Sequence, residues 1–167
     1  MQLLTFHANE ERYAIKTSKI REVLPVAKLK DLPFTHACVA GLLNYRGTAV
    51  PVIDMNMLVS GKSARLLMST RMIIFKFQVT EDDVRPLALL AEQATEIMQH
   101  DKSQIQNYGL NMDDAQFLGE IIYNDHGTIQ LVDPEKLISD SLKGTLFKTL
   151  EDTDTDSTYV SSRVKAS

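Results

Sequence analysis

The pattern of the first half of this 167-residue chain recurs in the second half, and this repetition constrains the fold more than any other feature. In residues 13–23, Tyr-Ala-Ile is followed by Glu-Val. In residues 87–97, Leu-Ala-Leu is followed by Glu-Ile at the same spacing. Residues 41–54 and 119–133 both contain a glycine, then Gly-Thr and then aspartate, with small gaps. Chance stays open as an origin, because apolar segments around a turn are common, but the pattern favours a duplication.

Each half is predicted to form hairpins joined by a connecting segment, which makes about five strands. The turns fall at Asn9–Glu11 and Arg46–Gly47 in the first half, and at residues 80–83 and 124–127 in the second. Glycine adopts the positive φ that a tight turn requires, and closely spaced strands favour antiparallel pairing. Five short strands match a small barrel with a thin core. We therefore expect two lobes that pack together and share a core.

Three segments leave the secondary structure open or restrict it. Residues 18–24 fit either a helical turn or a strand, and Pro25 ends the element in both cases. Residues 85–98 fit a strand, a helix, or one after the other. Pro51 lacks the N–H that a strand ladder uses, so its strand is predicted to lie at an edge or to bulge there.

The end of the domain is predicted to be helical. Asp133 is suited to cap a helix and Pro134 to occupy its first position, where a missing N–H costs nothing. We therefore expect one domain over residues 1–150 with a short C-terminal helix. Residues 151–167 are polar and acidic, so we expect a disordered tail.

Composition excludes several classes of protein. Apolar residues make up 44% of the chain, enough for a packed interior, and a net charge of −4 offers no basic surface for nucleic acid. The apolar runs are too short to span a bilayer, and the N-terminus lacks the features of a signal peptide. The single Cys38 suits a reducing compartment. These features predict a soluble cytoplasmic protein.

The chain shows no constellation that predicts catalysis, a metal site or a cofactor. Residues 60–63, Ser-Gly-Lys-Ser, lack the upstream glycine of a phosphate-binding loop, since that position is Asn56, and a surface turn is the better interpretation. Residues 152–156 begin like a calcium loop but lack its later ligands. A nucleophilic Cys38 stays open, because its base can come from elsewhere in the fold, but a single cysteine more often packs as a small apolar side chain.

Arg46 lies at the tip of a predicted hairpin, where its charge must be solvated, paired or used by a partner. A planar guanidinium suits bidentate recognition of a carboxylate, and a fixed turn lowers the entropic cost of binding. Glu22 is a candidate for an internal ion pair, because it lies in the connector between the first two hairpins. An internal Arg46–Glu22 pair and a contact with another protein both stay open.

The chain resembles the CheW-like domain family of bacterial chemosensory adaptors. The matching residues are Phe6, residues 12–15, residues 19–24, Leu32-Pro33 and residues 39–55, VAGLLNYRGTAVPVIDM. The last segment follows almost throughout the family's Gly-hydrophobic-hydrophobic-Asn-Leu-Arg-Gly pattern and the Pro-hydrophobic-hydrophobic-Asp that comes after it. The resemblance covers about residues 2–140 and is weaker in the second half.

The resemblance implies a mainly β fold of two five-stranded SH3-like β-barrel lobes packed around a shared core. Lobe one is expected at residues 15–70 and lobe two at residues 71–135, with the N-terminal strand a candidate for sharing between them. It also implies a non-enzymatic adaptor that joins methyl-accepting chemoreceptors to a CheA-type histidine kinase at receptor arrays. The alternative is a decoy of the same fold, which competes for receptor or kinase without coupling them.

The resemblance further implies roles for particular residues. The residues expected to contact the receptor signalling tip are Ile20, Glu22, Asn44 and Arg46. Those expected to contact the regulatory domain of the kinase are Val23 and Leu24. The residues expected to shape the turn are Gly41, Gly47 and Pro51.

Some residues depart from the family pattern. Tyr45 replaces the usual leucine, and residues 91–98, AEQATEIM, replace the usual Val-Asp-x-Val. Residues 42–47, LLNYRG, together with Ser69–Arg71, resemble the adaptors of surface-sensing pathways that control diguanylate cyclases, the WspB-like subgroup. The departures leave the receptor partner open.

Overall fold

The computed structural model describes residues 1–32, 36–101, 105–106 and 116–151, and this part of the chain is mainly β. The strands are β1 (Gln2–Ala8), β2 (Glu11–Lys16), β3 (Ile20–Pro25), β4 (Val39–Tyr45), β5 (Thr48–Asp54), β6 (Arg71–Thr80), β7 (Asp83–Gln99), β8 (Ile105–Gln106), β9 (Leu118–Asn124) and β10 (Gly127–Val132). The α-helices are α1 (Met55–Ser60) and α2 (140–151). In the described residues, no helix has the length and apolar character to cross a membrane. The predicted tail, except Glu151, lies outside these residues, as does the calcium-like segment.

The strands form two groups of five, each the size of a small barrel, joined through β7. In lobe one the order is β4-β5-β7-β6-β3, and in lobe two it is β7-β1-β2-β10-β9, with short β8 added beside β9. The strand β7 pairs with β6 as far as Ala91 and with β1 from Glu92 onward. The predicted pair of SH3-like lobes is confirmed. Its boundaries differ from those expected, because β6 pairs within lobe one and the β1–β2 hairpin within lobe two.

The repetition in the sequence is a repetition of strand pairing. Each lobe contains one parallel pair, β5 with β7 in lobe one and β10 with β2 in lobe two, while the other pairs are antiparallel. The row of paired residues across lobe one is Glu22–Ile74–Ala88–Val52. The corresponding row across lobe two is Glu96–Thr5–Ala14–Leu131. The two lobes therefore use the same register at the positions that the sequence pattern aligns.

The segments left open by the sequence are resolved as strands with local irregularities. Residues 18–24 combine both alternatives, since a 3₁₀ turn at Thr17–Lys19 leads into β3, which ends at Pro25. Residues 85–98 belong to one strand without a helix. Within that strand Gln93 has a φ of 50°, and the register to β1 shifts at this point. Such a bulge bends a strand, and here it lies where β7 leaves one lobe for the other.

Gly41 and Pro51 lie inside strands, which corrects their assignment to the turn. The strand β5 is not at an edge, since β4 flanks it on one side and β7 on the other from Val52 to Asp54. The ladder to β7 begins one residue after Pro51, so the missing N–H costs no bond there. A Cβ on Gly41, whose φ is 150°, would lie 2.7 Å from the carbonyl oxygen of Lys30. Glycine is required there because another backbone segment approaches closely.

The lobes share a core and each also has an apolar cluster of its own. The shared cluster takes large side chains from both lobes, and α2 covers it with Leu146, Phe147 and Leu150. Along β6 the side chains alternate between the two environments, Ile73 toward the shared cluster and Ile74 toward the cluster of lobe one. A strand buried on both faces has a nearly continuous apolar run, which explains the run from Met72 to Phe75. Beyond Phe75 the strand alternates, with Lys76 and Gln78 exposed.

The predicted C-terminal helix is divided into two pieces. The Asp133 side chain accepts a hydrogen bond from the Glu135 N–H at 3.1 Å, and Pro134 occupies the first helical position, as predicted. That helix is a single 3₁₀ turn, Pro134–Lys136. The α-helix α2 then starts at 140, where the Ser139 Oγ accepts from the Leu142 N–H at 3.3 Å.

The carboxylate of Glu92 is buried where β7 passes between the lobes, with only 2% of the residue exposed. It accepts hydrogen bonds from the Arg65 backbone N–H at 2.7 Å, from the Arg65 Nη2 at 2.9 Å and from the Asn56 Nδ2 at 3.3 Å. Burial by itself raises the pKa of Glu92, but the hydrogen bonds and the charge of Arg65 outweigh it and lower the pKa. The charged carboxylate therefore fixes the loop after α1 to the strand that joins the lobes.

We expect Ile53→Ala to lower the free energy of unfolding by about 2–4 kcal/mol, because it leaves a cavity in the shared core. Ile53 is fully buried in the shared cluster, whereas its neighbour Val52 is fully buried in the cluster of lobe one. Urea unfolding measures the loss. The matched control Val84→Ala removes two methyl groups from a residue that is 51% exposed and should change the value by less than about 0.5 kcal/mol.

We expect Glu92→Gln to remove a pH-dependent part of the stability. Because folding lowers the pKa of Glu92, its contribution is present above the ordinary glutamate pKa of about 4.3 and is lost as the pH falls through the folded-state value. The difference in unfolding free energy between wild type and variant should be about 1–3 kcal/mol at pH 7 and shrink toward pH 3. A difference that is constant with pH, or one matched by the exposed Glu81→Gln, would contradict this role.

Candidate protein-interaction site

The turn between β4 and β5 has two residues, both with positive φ. Arg46 has a φ of 51° and Gly47 a φ of 85°, and the flanking Tyr45 and Thr48 are paired across the hairpin. This geometry is that of a type I′ turn, whose twist matches the strands that it joins. The Asn44 Oδ1 accepts a hydrogen bond from the Gly47 N–H at 3.0 Å. The predicted hairpin at Arg46-Gly47 is therefore confirmed, and Gly47 lies in the turn.

Arg46 is paired with a carboxylate and still accessible. Its Nη2 lies 3.2 Å from the Oε2 of Glu22, while 69% of the Arg46 side chain and 32% of the Glu22 side chain are exposed. The internal ion pair left open by the sequence therefore forms. An exposed pair of this kind contributes little to stability, on the order of 0–1 kcal/mol. The guanidinium is thus held in place without being withdrawn from the surface.

Tyr45 organises the charged groups around the turn. Its hydroxyl donates a hydrogen bond to the same Glu22 oxygen that Arg46 contacts, and this bond raises the pKa of Tyr45. The Cζ atom of Arg46 lies 5.2 Å from the centre of the Tyr45 ring, and that of Arg21 lies 5.6 Å from it. Although it lies beside a surface turn, Tyr45 is only 6% exposed.

A bulge in β3 brings two neighbouring side chains to Tyr45. The register with β6 shifts between Ile20 and Glu22, so Arg21 is the extra residue. A bulge places two residues opposite one on the partner strand, which accounts for the approach of both Arg21 and Glu22 to the same ring. Sequence reasoning did not include Arg21 in the site. The signal that could have led to Arg21 is Tyr45, an aromatic residue where the family has leucine, because an aromatic ring attracts nearby cations.

The other residues that the sequence proposed for contacts differ in exposure. Asn44 is exposed, with its side-chain carbonyl engaged by the turn. Ile20 is half-buried and packs against the shared core, and Leu24 is half-buried against the cluster of lobe one. Val23 is 38% exposed. The structure thus brings Glu22, Asn44 and Arg46 together at the turn, while Leu24 is partly engaged in packing.

The two chemical motifs weighed in the sequence have structural explanations. Gly61, with a φ of 73°, closes the C-terminal end of α1 by donating its N–H to the Met57 carbonyl at 3.0 Å. A helix C-terminus presents carbonyl oxygens, so residues 60–63 form a turn and not a phosphate cradle. Cys38 is 2% exposed, with its Sγ 3.2 Å from the Nδ1 of His36. Burial raises the pKa of the Cys38 thiol, which disfavours the nucleophilic thiolate.

The fold and the turn together define a two-lobed SH3-like β-barrel domain with an accessible arginine at a hairpin tip. The family model described as CheW-like domain matches residues 2–142. The chain therefore belongs to the CheW-like domain family, as the resemblance predicted. The narrower surface-sensing subgroup stays a prediction.

Similar proteins include two named CheW and one solved structure named TtCheW. The chemotaxis protein CheW of Bacillus subtilis (strain 168) is 19% identical over 139 residues, which are 82% of this chain and 86% of that protein. The chemotaxis protein CheW of Treponema pallidum (strain Nichols) is 33% identical over 55 residues, 33% of this chain and 32% of that protein. The crystal structure of the scaffolding protein TtCheW from Thermoanaerobacter tengcongensis has a TM-score of 0.72 at 21% identity, covering 83% of this chain and 87% of that one.

We expect Arg46→Gln to change the free energy of unfolding by less than about 1 kcal/mol, because the pair with Glu22 is exposed to solvent. Thermal or urea unfolding of the variant measures this. A loss of several kcal/mol would show that Arg46 is chiefly a structural residue and would contradict the accessible site described above.

Proposed function

We propose that this protein is a non-enzymatic adaptor that couples methyl-accepting chemoreceptors to a CheA-type histidine kinase. The observation that carries the proposal is Arg46, which a two-residue turn displays and which Glu22 and Tyr45 hold at the surface of a CheW-like domain. A fixed guanidinium recognises a carboxylate on a partner at a reduced entropic cost. The receptor signalling tip is the partner proposed for Glu22, Asn44 and Arg46, with Ile20 at the margin.

The kinase is proposed to bind a different surface. Val23 is exposed on β3 and Leu24 is half-buried beside it, so Val23 is the stronger candidate for an apolar contact with the kinase regulatory domain. An adaptor with two surfaces couples its partners by holding the kinase where a change in the receptor alters the kinase's equilibrium. The protein is then placed at receptor arrays by its protein contacts.

Co-sedimentation tests the coupling function. The purified protein should sediment with assemblies of a receptor signalling domain and a CheA-type kinase, and it should raise the activity of the kinase in them. A protein that binds the assemblies but lowers kinase activity would be a decoy of the same fold. Failure to sediment with either component would contradict both functions.

We expect Arg46→Glu to weaken receptor binding at least roughly tenfold, because it places two carboxylates together where the partner's carboxylate must approach. Binding to the isolated kinase regulatory domain should be unchanged, and so should the fold by circular dichroism. Titration against both partners measures the two affinities. Equal weakening toward receptor and kinase would place Arg46 outside a receptor-specific surface.

A further inference from the structure

Arg21 provides a second cation beside the proposed receptor site. It is exposed at the bulge of β3, with its guanidinium 5.6 Å from the centre of the Tyr45 ring. Within the described part of the chain, Arg21 forms no salt bridge with a carboxylate, whereas Arg46 forms one with Glu22. The group around Tyr45 therefore contains two cations and one anion, in a chain whose net charge is −4. This surface attracts anionic groups against the charge of the whole protein.

The two guanidinium groups are fixed by the same ring. Both lie within about 6 Å of the ring centre, the range of cation–π attraction. The ring itself is anchored, because Tyr45 packs in the apolar cluster of lobe one and its hydroxyl donates to Glu22. Arginine side chains on a surface otherwise lose much rotamer freedom when they bind a partner. Here the contacts with the ring restrict both side chains before a partner binds, so part of that loss has already occurred on folding.

We propose that the site extends to Arg21 and Tyr45: Arg21 binds a second carboxylate of the partner, and Tyr45 positions both arginines. The inference rests on the proposed function, and it specifies the partner surface further. The receptor face that fits carries at least two acidic side chains close together, one for each guanidinium. A leucine at position 45 has neither the ring face nor the hydroxyl, so a relative with leucine there lacks this arrangement.

The test for Arg21 is the salt dependence of receptor binding. Arg21→Gln should weaken binding to the receptor signalling domain roughly 3- to 10-fold at low salt. It should also flatten the fall of affinity between about 50 and 300 mM salt, because one ion pair is lost. The matched control is Lys148→Gln, which removes one exposed positive charge from α2. Equal effects of the two substitutions would overturn the role of Arg21 and leave only a general effect of net charge.

The test for Tyr45 asks whether its hydroxyl holds the arginines in position, without changing the charge of the site. Tyr45→Phe keeps the ring and the packing but removes the bond to Glu22, so it should weaken receptor binding roughly twofold to fivefold without changing the salt dependence. In an Arg46→Gln background the same change should have a smaller effect, because the arginine held through Glu22 is absent. Additive effects in the double variant, or an unchanged affinity of Tyr45→Phe, would overturn the positioning role.

The outcomes distinguish this inference from the proposed function. If Arg46→Glu leaves receptor affinity unchanged, the proposed receptor site is wrong, and the inference is wrong with it. If Arg46→Glu weakens binding while Arg21→Gln matches Lys148→Gln and Tyr45→Phe matches wild type, only the inference is wrong. Unfolding curves of each variant show whether a loss of affinity comes from a loss of structure.

Discussion

The architecture depends on the continuity of β7. One strand supplies the pairing edge for β6 in lobe one and then for β1 in lobe two, so neither lobe has a complete set of strands without it. The bulge at Gln93 and the buried carboxylate of Glu92 lie where the strand passes between the lobes. A small barrel has a thin core of its own. Because β7 belongs to both lobes, the inner faces of the two lobes form a single apolar cluster. The lobes are therefore joined by both a strand and a core.

This rigid frame explains how a surface site can be held so closely. Tyr45 packs inside lobe one at the base of the turn, and its hydroxyl reaches out to Glu22 on β3. The site therefore joins two strands that are not neighbours in the sheet, since β6, β7 and β5 lie between β3 and β4 in the strand order. Contact across that distance is characteristic of a sheet that curls toward closure.

The sequence was informative where a local rule governs the structure. The Arg46-Gly47 turn and the cap at Asp133 follow from turn and cap chemistry within a few residues, and both were predicted. The lobe boundary was not, because pairing of β1 with the second half of β7 is a contact between distant residues that no local pattern encodes. The bulge that brings Arg21 to Tyr45 was not predicted either, because it depends on the pairing of β3 with the distant strand β6. The Arg46–Glu22 pair was one of two open alternatives, and the structure shows both the pair and its exposure.

The two lobes have equivalent strand registers but differ in the charged residues at their hairpin tips. In lobe two the Asn124 Oδ1 accepts from the N–H of His126, two residues further on, at 3.0 Å. In lobe one the Asn44 Oδ1 accepts from the N–H of Gly47, three residues further on, at 3.0 Å, so an asparagine oxygen supports each hairpin tip but with different spacing. Lobe two presents Asp125 and His126 at its tip, where lobe one presents Arg46. The strand register is equivalent while the charged groups are not, so the register cannot be what distinguishes one surface from the other. The proposed selectivity for an anionic partner therefore rests on Arg46 and the residues that orient it, which are features in which the two lobes differ.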